Sequence, residues 1–471
     1  MLPIPRMPQG AMGSGHTVQW DTLNGMGGYL GREAFGIGRA KSPLVNRPWL
    51  GDPLVGSPQQ GELLPADLVH RGDGGMVVGW FWRLVRQVSP RLLGKAAYLW
   101  VYKGLRAVAE FRRRQQRGEL FPPFLFLSLT NACNLRCRGC WISAQAKPLS
   151  LSPEQVDGMI RSGKSRNVYF YTLLGGEPFL YPDLEGLLRR HPDCYFQIIT
   201  NGLLLDEGWA ARLAELGNVT PLVSLDGLGQ ENDRRRGQGT LEAILATLDR
   251  LRRHRLLFGV ATTVTADNFS EVTADRYVVE LIRRGALYLW YYVYRPMGPA
   301  SPPGWCLDQQ KMVQLRRRLL ALRRRHPMLI VDTYWDADGR AFCPAAEGLG
   351  FHIGPSGSLE PCPPLSFACE QFADGAGDFA GLLESSQFLR QFQQFVRSRT
   401  RGCVILERPG ELAEFLQTAG ARDYSGRDAL AELAARTPQC SHHLPGQEIP
   451  EPMWFYRLLK RQLFFGLSGY G

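Results

Sequence analysis

The middle of this chain predicts an α/β fold, a parallel sheet with helices outside it, open or closed as a barrel. Three observations predict it. Between residues 124 and 294, short runs rich in Val, Ile, Tyr and Phe alternate with longer stretches of helical periodicity. Six such βα units follow one another, the count of a partial (β/α)6 barrel of the TIM type. Polar or glycine-containing turns recur just after the strands, where a barrel carries its active loops.

Taken in order, residues 1–75 are rich in Gly and Pro with weak periodicity, and predict an irregular arm. Residues 76–121 mix aromatics and arginines at helical spacing, interrupted at Pro90. They read either as two helices packed on the core or as interfacial amphipathic helices, with Trp and Leu inward and Arg toward anionic headgroups. The core, 122–300, places strands at 124–130, 167–174, 195–200, 219–225, 258–265 and 287–294. Helices are expected at about 152–164, 182–191, 206–216, 239–255 and 271–284. The first is opened by Ser152 as N-cap and Pro153 in the first turn. Residues 301–342 form a basic helix (305–328) and a linker, the arginines read as a solvated face. Residues 343–471 make a smaller second domain with an aromatic, basic tail.

Of 471 residues, 44% are hydrophobic, ordinary for a globular protein, and the formal charge is +11. Such a balance suits a solvated basic surface or an anionic partner: lipid headgroups or a phosphorylated substrate. Nucleic acid ranks last, because no nucleic-acid-binding motif accompanies the charge. Ten cysteines in clustered spacing point to metal and a reducing compartment. The first residues, MLPIPRMPQG, lack a signal-peptide pattern, and no apolar run is long enough to span a bilayer. The expected location is therefore cytoplasmic, with peripheral membrane contact raised by the basic–aromatic helices. Oligomeric state leaves no mark in the sequence.

After the first strand the chain delivers Cys133, Cys137 and Cys140, a Cys-x3-Cys-x2-Cys loop. A cubane iron–sulfur cluster has four irons, each needing one external ligand, so three thiolates leave one iron open for a ligand. A zinc site with a fourth ligand from elsewhere, or a packed helical stripe of thiols, are the alternatives. The stripe sits poorly beside Asn134, Arg136, Arg138 and Gly139.

This loop resembles the signature of the radical S-adenosylmethionine (radical SAM) superfamily. The resemblance implies a [4Fe–4S] cluster whose open iron binds S-adenosylmethionine (SAM) through its amino and carboxylate groups. An electron from the cluster then cleaves SAM to methionine and a 5′-deoxyadenosyl radical. The family usually has an aromatic residue just before the third cysteine; here Gly139 stands there and Trp141 follows. Gly175-Gly176-Glu177-Pro178 resembles the family's GGEP motif, which grips the SAM amino group. Asn201 after the third strand, and Ser224, Asp226 and Arg236 after the fourth, resemble positions that contact the ribose and the methionine carboxylate. Tyr294 and Arg295 end the sixth strand, where the family often places adenine or substrate contacts. The resemblance covers roughly 122–300.

Further on, Cys343-x13-Gly357-x4-Cys362 brackets a predicted hairpin and resembles the start of the SPASM or twitch extension, which carries auxiliary clusters. The dense cysteine run of a full SPASM domain is missing. The implied assignment is one auxiliary cluster on Cys343, Cys362, Cys403 and Cys440. A three-cysteine cluster, a zinc site, or His442 or His443 as a ligand stay open. Cys194 reads as core, and Cys306 as a substrate-facing thiol. The resemblance also implies a reductant of flavodoxin or ferredoxin type and hydrogen abstraction from an unactivated carbon. It leaves two substrate classes, a ribosomal peptide or a lipid or isoprenoid. A non-catalytic iron–sulfur scaffold is the reading from a different class.

Overall fold

The computed structural model describes residues 72–142, 148–298, 301–373 and 377–462. Of the irregular arm expected over 1–75, residues 1–71 lie outside the described residues, as does the tail beyond residue 462, and residues 72–75 instead open a helix. All described residues belong to one compact unit, Glu62–Gly471.

Helix α1 (Gly72–Gln87) is followed by α2 (Pro90–Ala96), a π-helical segment (Ala97–Tyr102) and α3 (Lys103–Gln116), which run on without a break. The barrel units are β1 (Leu125–Thr130), α4 (Pro153–Ser165), β2 (Phe170–Gly175), α5 (Leu184–Arg190), β3 (Tyr195–Thr200) and α6 (Glu207–Leu216). They continue with β4 (Val219–Ser224), α7 (Gln230–Arg236), α8 (Thr240–Arg253), β5 (Gly259–Val264), α9 (Phe269–Val272), α10 (Asp275–Arg283) and β6 (Tyr288–Val293). Each strand starts within three residues of its expected position. Ser152 caps α4 as expected, in a full capping box with Gln155.

The six strands are parallel neighbours in chain order. After α11 (Gln309–Arg325), β7 (Leu329–Val331) adds to the β6 edge. At the other edge β8 (His352–Ile353) pairs with β1, and β9 (Leu359–Glu360) returns antiparallel to it. The predicted hairpin thus extends the barrel sheet itself. Beyond it lie β10 (Phe367–Ala368), α12 (Phe379–Ser385), α13 (Gln387–Arg397), α14 (Val404–Glu407), α15 (Pro409–Thr418), β11 (Arg422–Asp423), α16 (Ala429–Ala434) and α17 (Trp454–Gln462).

Alternate strand residues fill the barrel. At its amino end Tyr288 crosses β5 to reach Thr220 on β4, hydroxyl to hydroxyl at 2.8 Å. Gly259 makes this possible, because a Cβ there would sit 2.3 Å from the Tyr288 ring. Helices α1, α3 and α17 pack at this end. Buried Arg83 of α1 donates to the carbonyls of Ala286 and Pro327, both at 2.7 Å. On α17, Tyr456 accepts from the Ile330 amide at 2.8 Å.

The solvated reading of α11 holds for exposed Arg317, Arg318, Arg324 and Arg325 and needs correction at two positions. Arg316 and Arg323 are each 1% exposed. Arg323 pairs with Glu451 at 2.5 Å and with Asp332, and Lys460 of α17 reaches Asp332 at 3.1 Å. Asp332 follows β7 directly, and Glu451 and Lys460 come from the carboxyl-terminal segment more than a hundred residues away, so the arginine run alone looks like a surface. Among the described residues, no helix is long and apolar enough to cross a membrane.

Candidate active site

The loop Cys133–Cys140 leaves the carboxyl end of β1 and is tied to the next two strand ends. The Gly176 amide donates to Thr130 O at 2.7 Å and the Glu177 amide to Ala132 O at 2.8 Å. Gly175 and Gly176 permit this approach: a Cβ on either would stand 2.3 Å or 2.0 Å from those same carbonyl oxygens. Close approach is thus to the cysteine loop's own backbone. From β3, Asn201 Nδ2 donates to Asn134 Oδ1 at 2.7 Å.

Glu177 is fully buried at the centre of this junction. Its carboxylate accepts from Thr200 Oγ1 (2.7 Å), the Asn201 amide (2.8 Å) and the Phe179 amide (3.2 Å). Burial nevertheless pushes its pKa up to about 7, the three donors and Arg236 opposing. Pro178 opens a single turn behind it, which holds the carboxylate's backbone rigid.

The thiols stand as electrostatic neighbours. Burial pushes Cys133 up to about 11 and raises Cys140 as well. The Leu135 amide points at Cys133 Sγ (3.4 Å), a donor suited to an anionic sulfur. Gly139 has φ +66°, and a Cβ there would lie 2.8 Å from the Tyr294 hydroxyl. Tyr294 therefore covers the position where the family usually carries an aromatic side chain, which explains the glycine.

The fourth strand's contribution differs from expectation. Asp226 is buried and already engaged: Arg235 at 2.5 Å, Arg236 at 2.7 Å and the Thr263 amide at 2.8 Å. Burial opposes its charge, but the two guanidinium groups hold its carboxyl below the usual range. Asp226 thus positions two arginines instead of presenting a free carboxylate. Arg235, which sequence reasoning passed over, is the more telling of the pair. Its carbonyl accepts from the Arg138 amide at 2.8 Å, and its guanidinium lies in the field of Cys137 and Cys140. Ser224 is half-buried at the end of β4.

Arg295 does not join this group. Its Nε lies 3.0 Å from Cys403 Sγ, and its guanidinium sits over the Tyr334 ring. Desolvation opposes its charge, but Cys403 and Tyr334 raise its pKa. Cys343 and Cys362 complete a second thiol neighbourhood around it, both pushed up by burial and by each other's company or that of Cys403. Cys440 reaches the same corner only through Ser441, whose hydroxyl accepts from the Cys403 amide at 3.4 Å. The Cys440 thiol itself is directed to Ser441 O. His442 is buried and bonded to Phe342 O at 2.9 Å, which leaves it poorly placed as a ligand. Cys194 is core, as expected; exposed Cys369 belongs to neither group. Sequence reasoning also missed a buried relay joining barrel to hairpin: Ser128 Oγ to His352 Nε2 at 2.6 Å, and His352 Nδ1 to Glu360 at 2.7 Å. Trp141 packs edge-on against His352.

Among the described residues no three His, Cys, Asp or Glu side chains converge on a point fit for one metal ion. A cubane does not require that, because each iron takes its own ligand. The donor chemistry of the first loop fits such a group: three thiols, an amide aimed at one sulfur and the mostly covered Arg235 against the other two.

Comparison with known proteins agrees. Residues 127–275 match the model of the Radical SAM superfamily. The chain is 28% identical over 272 residues to the sporulation killing factor maturation protein SkfB of Bacillus subtilis (strain 168), 55% of this chain and 65% of that one. It is 30% identical to the Fe-coproporphyrin III synthase of Methanosarcina barkeri, over 37% of this chain and 45% of the synthase. It is 31% identical to the mycofactocin maturase MftC of Mycobacterium tuberculosis, over 59% of this chain and 74% of MftC. The first two relatives are thus matched over less than two thirds of their length. Among solved structures, Streptococcus suis SuiB bound to SAM superposes with a TM-score of 0.51 at 17% identity, over 63% of this chain and 72% of SuiB, a likeness of fold. SuiB is also known bound to its precursor peptide, SuiA. This chain belongs to the radical SAM superfamily, with a SPASM-like extension. The superfamily uses a [4Fe–4S] cluster and SAM, and its SPASM members carry auxiliary clusters.

Proposed function

We propose that this chain is a radical SAM enzyme that modifies a ribosomally made peptide. Cys133, Cys137 and Cys140 hold the cluster, and Glu177 receives the SAM amino group. When bound, the cluster supplies the electron that cleaves SAM to methionine and a 5′-deoxyadenosyl radical, which takes a hydrogen from an unactivated carbon. Asn201, Ser224 and Tyr294 line the SAM side of the site. Asp226 acts through Arg235 and Arg236: it fixes two cations beside the thiols and offsets the negative charge that bound sulfur brings. The observation that carries this reading is the convergence of the thiol loop, the buried Glu177 carboxylate and the Arg235 guanidinium at one end of the barrel. The names of SkfB, MftC and SuiB support a peptide over other substrates. A second cluster would be held by Cys343, Cys362 and Cys403 beside Arg295, with Cys440 as the fourth ligand once its thiol turned from the Ser441 carbonyl.

The test is anaerobic reconstitution with iron, sulfide, SAM and dithionite. 5′-Deoxyadenosine forms with the wild type and is absent when Cys133, Cys137 and Cys140 are all Ala. Iron-loaded, SAM-binding protein that makes none would favour the scaffold reading.

The same reading includes peripheral contact with an anionic membrane. Residues 72–116 and 454–462 carry twelve Lys and Arg against Asp73 and Glu110; Arg83, Arg114 and Lys460 are buried, and the other nine cations are exposed or half-buried. Contact of this kind is screened by salt, so vesicle flotation at low and high ionic strength measures it.

A further inference from the structure

Thirteen large hydrophobic side chains are exposed among the described residues, and ten of them lie on α1, on the segment from the π-helix into α3, and on α17. Their spacing is regular. On α1 they are Val78, Phe81, Trp82 and Val85; on the second segment Tyr98, Val101, Tyr102 and Leu105. Both sets follow i, i+3, i+4, i+7, the stripe an amphipathic helix turns toward an apolar phase. Trp454 and Leu458 repeat it on α17. Exposed Arg86, Arg91, Arg106, Arg112, Arg113 and Arg461 flank these stripes.

The inner faces of the same three helices roof a cavity of about 270 Å3 at the amino end of the barrel, opposite the thiol loop. Trp80 comes from α1, Leu99 from the π-helix, Phe455 from α17, and the floor is Phe170, Tyr288 and Trp290. An apolar cavity of roughly 150 Å3 stays dry and takes benzene; this one is nearly twice as large. Polar wall groups are already paired: Thr220 with Tyr288, Gln197 with Thr172 at 3.4 Å, and Lys103 Nζ with Asp193 O at 2.8 Å. Nothing in that set calls for water. Val101 and Leu105 line the cavity and are also 44% and 40% exposed. They set its mouth on the outward stripe. Lys103 stands at the rim, its ammonium 3.8 Å from the centre of the Tyr169 ring. A π-turn within an α-helix often marks a functional site, and here it lies over the cavity.

We propose that this cavity binds a hydrocarbon chain of an anionic lipid, drawn from the bilayer surface on which the three helices rest. The proposal rests on the peripheral-membrane reading for its source of ligand. The chain enters between Val101 and Leu105, and the headgroup stays outside among the cations. The occupant is argued from charge and shape together: a basic rim, an aromatic surround and an apolar interior match one amphiphile with an acidic head.

The test uses the full chain and 9,10-dibromostearate, whose bromines quench tryptophan on contact, with Trp80, Trp100 and Trp290 on the cavity wall. Saturable quenching is expected in the wild type and at least tenfold weaker binding in Gly104→Leu. A Cβ at Gly104 meets nothing within 4 Å, and Leu favours the helix, so the variant fills the mouth without disturbing the fold. Equal quenching in wild type and Gly104→Leu, with equal melting temperatures, overturns the proposal; if that variant melts early, displacement of quenching by palmitate in the wild type decides instead. Flotation with phosphatidylglycerol–phosphatidylcholine vesicles runs in parallel. Quenching without flotation keeps the chain site and removes the membrane reading; flotation without quenching does the reverse. Quenching that appears only once residues 1–71 are removed assigns the cavity to this chain's own amino-terminal segment and overturns the lipid.

Discussion

The two ends of the barrel are built from opposite materials. At the carboxyl end, backbone amides, a buried carboxylate and paired arginines surround three thiols. At the amino end, aromatic and aliphatic side chains enclose an apolar space, and the charges buried beside it, such as Arg83, are turned onto backbone carbonyls. Low dielectric serves both, in different ways. Around Glu177 and Asp226 it strengthens every charge interaction and makes each unpaired one costly. Around Trp290 and Tyr288 it leaves room that only an apolar guest fills without loss. One end is preorganised for chemistry, the other for holding.

Substitutions can break or sharpen that contrast. The largest effect is expected from Cys133, Cys137 or Cys140 to Ala, each of which abolishes 5′-deoxyadenosine formation. By iron analysis the triple variant keeps about four of roughly eight irons per chain, those of the second site. Next, Asp226→Asn leaves Arg235 and Arg236 buried without their shared anion and lowers stability by about 3–5 kcal/mol in denaturant unfolding. Glu177→Gln weakens SAM binding about 10- to 100-fold, the worth of a charge-assisted hydrogen bond. The pH dependence follows from its raised pKa of about 7. The anion is the form that accepts from the SAM amino N–H, so protonation of Glu177 weakens wild-type SAM binding as pH drops below 7. Titration calorimetry from pH 6 to pH 8.5 should find this slope in the wild type and none in Glu177→Gln. Gly139→Ala forces a Cβ against Tyr294 at positive φ and costs about 1–3 kcal/mol; Tyr294→Ala in the same chain recovers the steric part. Smallest of all, Gly104→Leu leaves SAM cleavage unchanged. A loss of turnover there would show that the two ends are coupled.

How far the sequence could be read follows the same division. The first thiol loop is eight consecutive residues on a strand end, so its chemistry is local and legible. The six strands were equally plain, because each carries its own period. The second thiol group was half legible: Cys343 and Cys362 are joined by a hairpin, whereas Cys403 and Cys440 come from separate segments, and only Cys403 faces the pair. Arg295 follows a residue of the SAM end yet serves the other group, because side chains alternate at a strand end. Arg235 was hidden in the run Arg234-Arg235-Arg236, which looks like a solvated helix end. Arg316 and Arg323 were misread for the same reason: burial of a charge depends on partners the local sequence does not contain. The amino-end cavity had no local signature at all, since its walls come from several strands and three helices.

The central claim is an open coordination position on a cluster held by three thiolates. Electron paramagnetic resonance of the reduced, oxygen-free protein, recorded with and without SAM, tests it most directly, using a variant in which Cys343, Cys362 and Cys403 are Ala so that one cluster remains. A cubane signal that shifts on adding SAM is the predicted result. Zinc in place of iron, or a cubane signal that SAM leaves untouched, would contradict it.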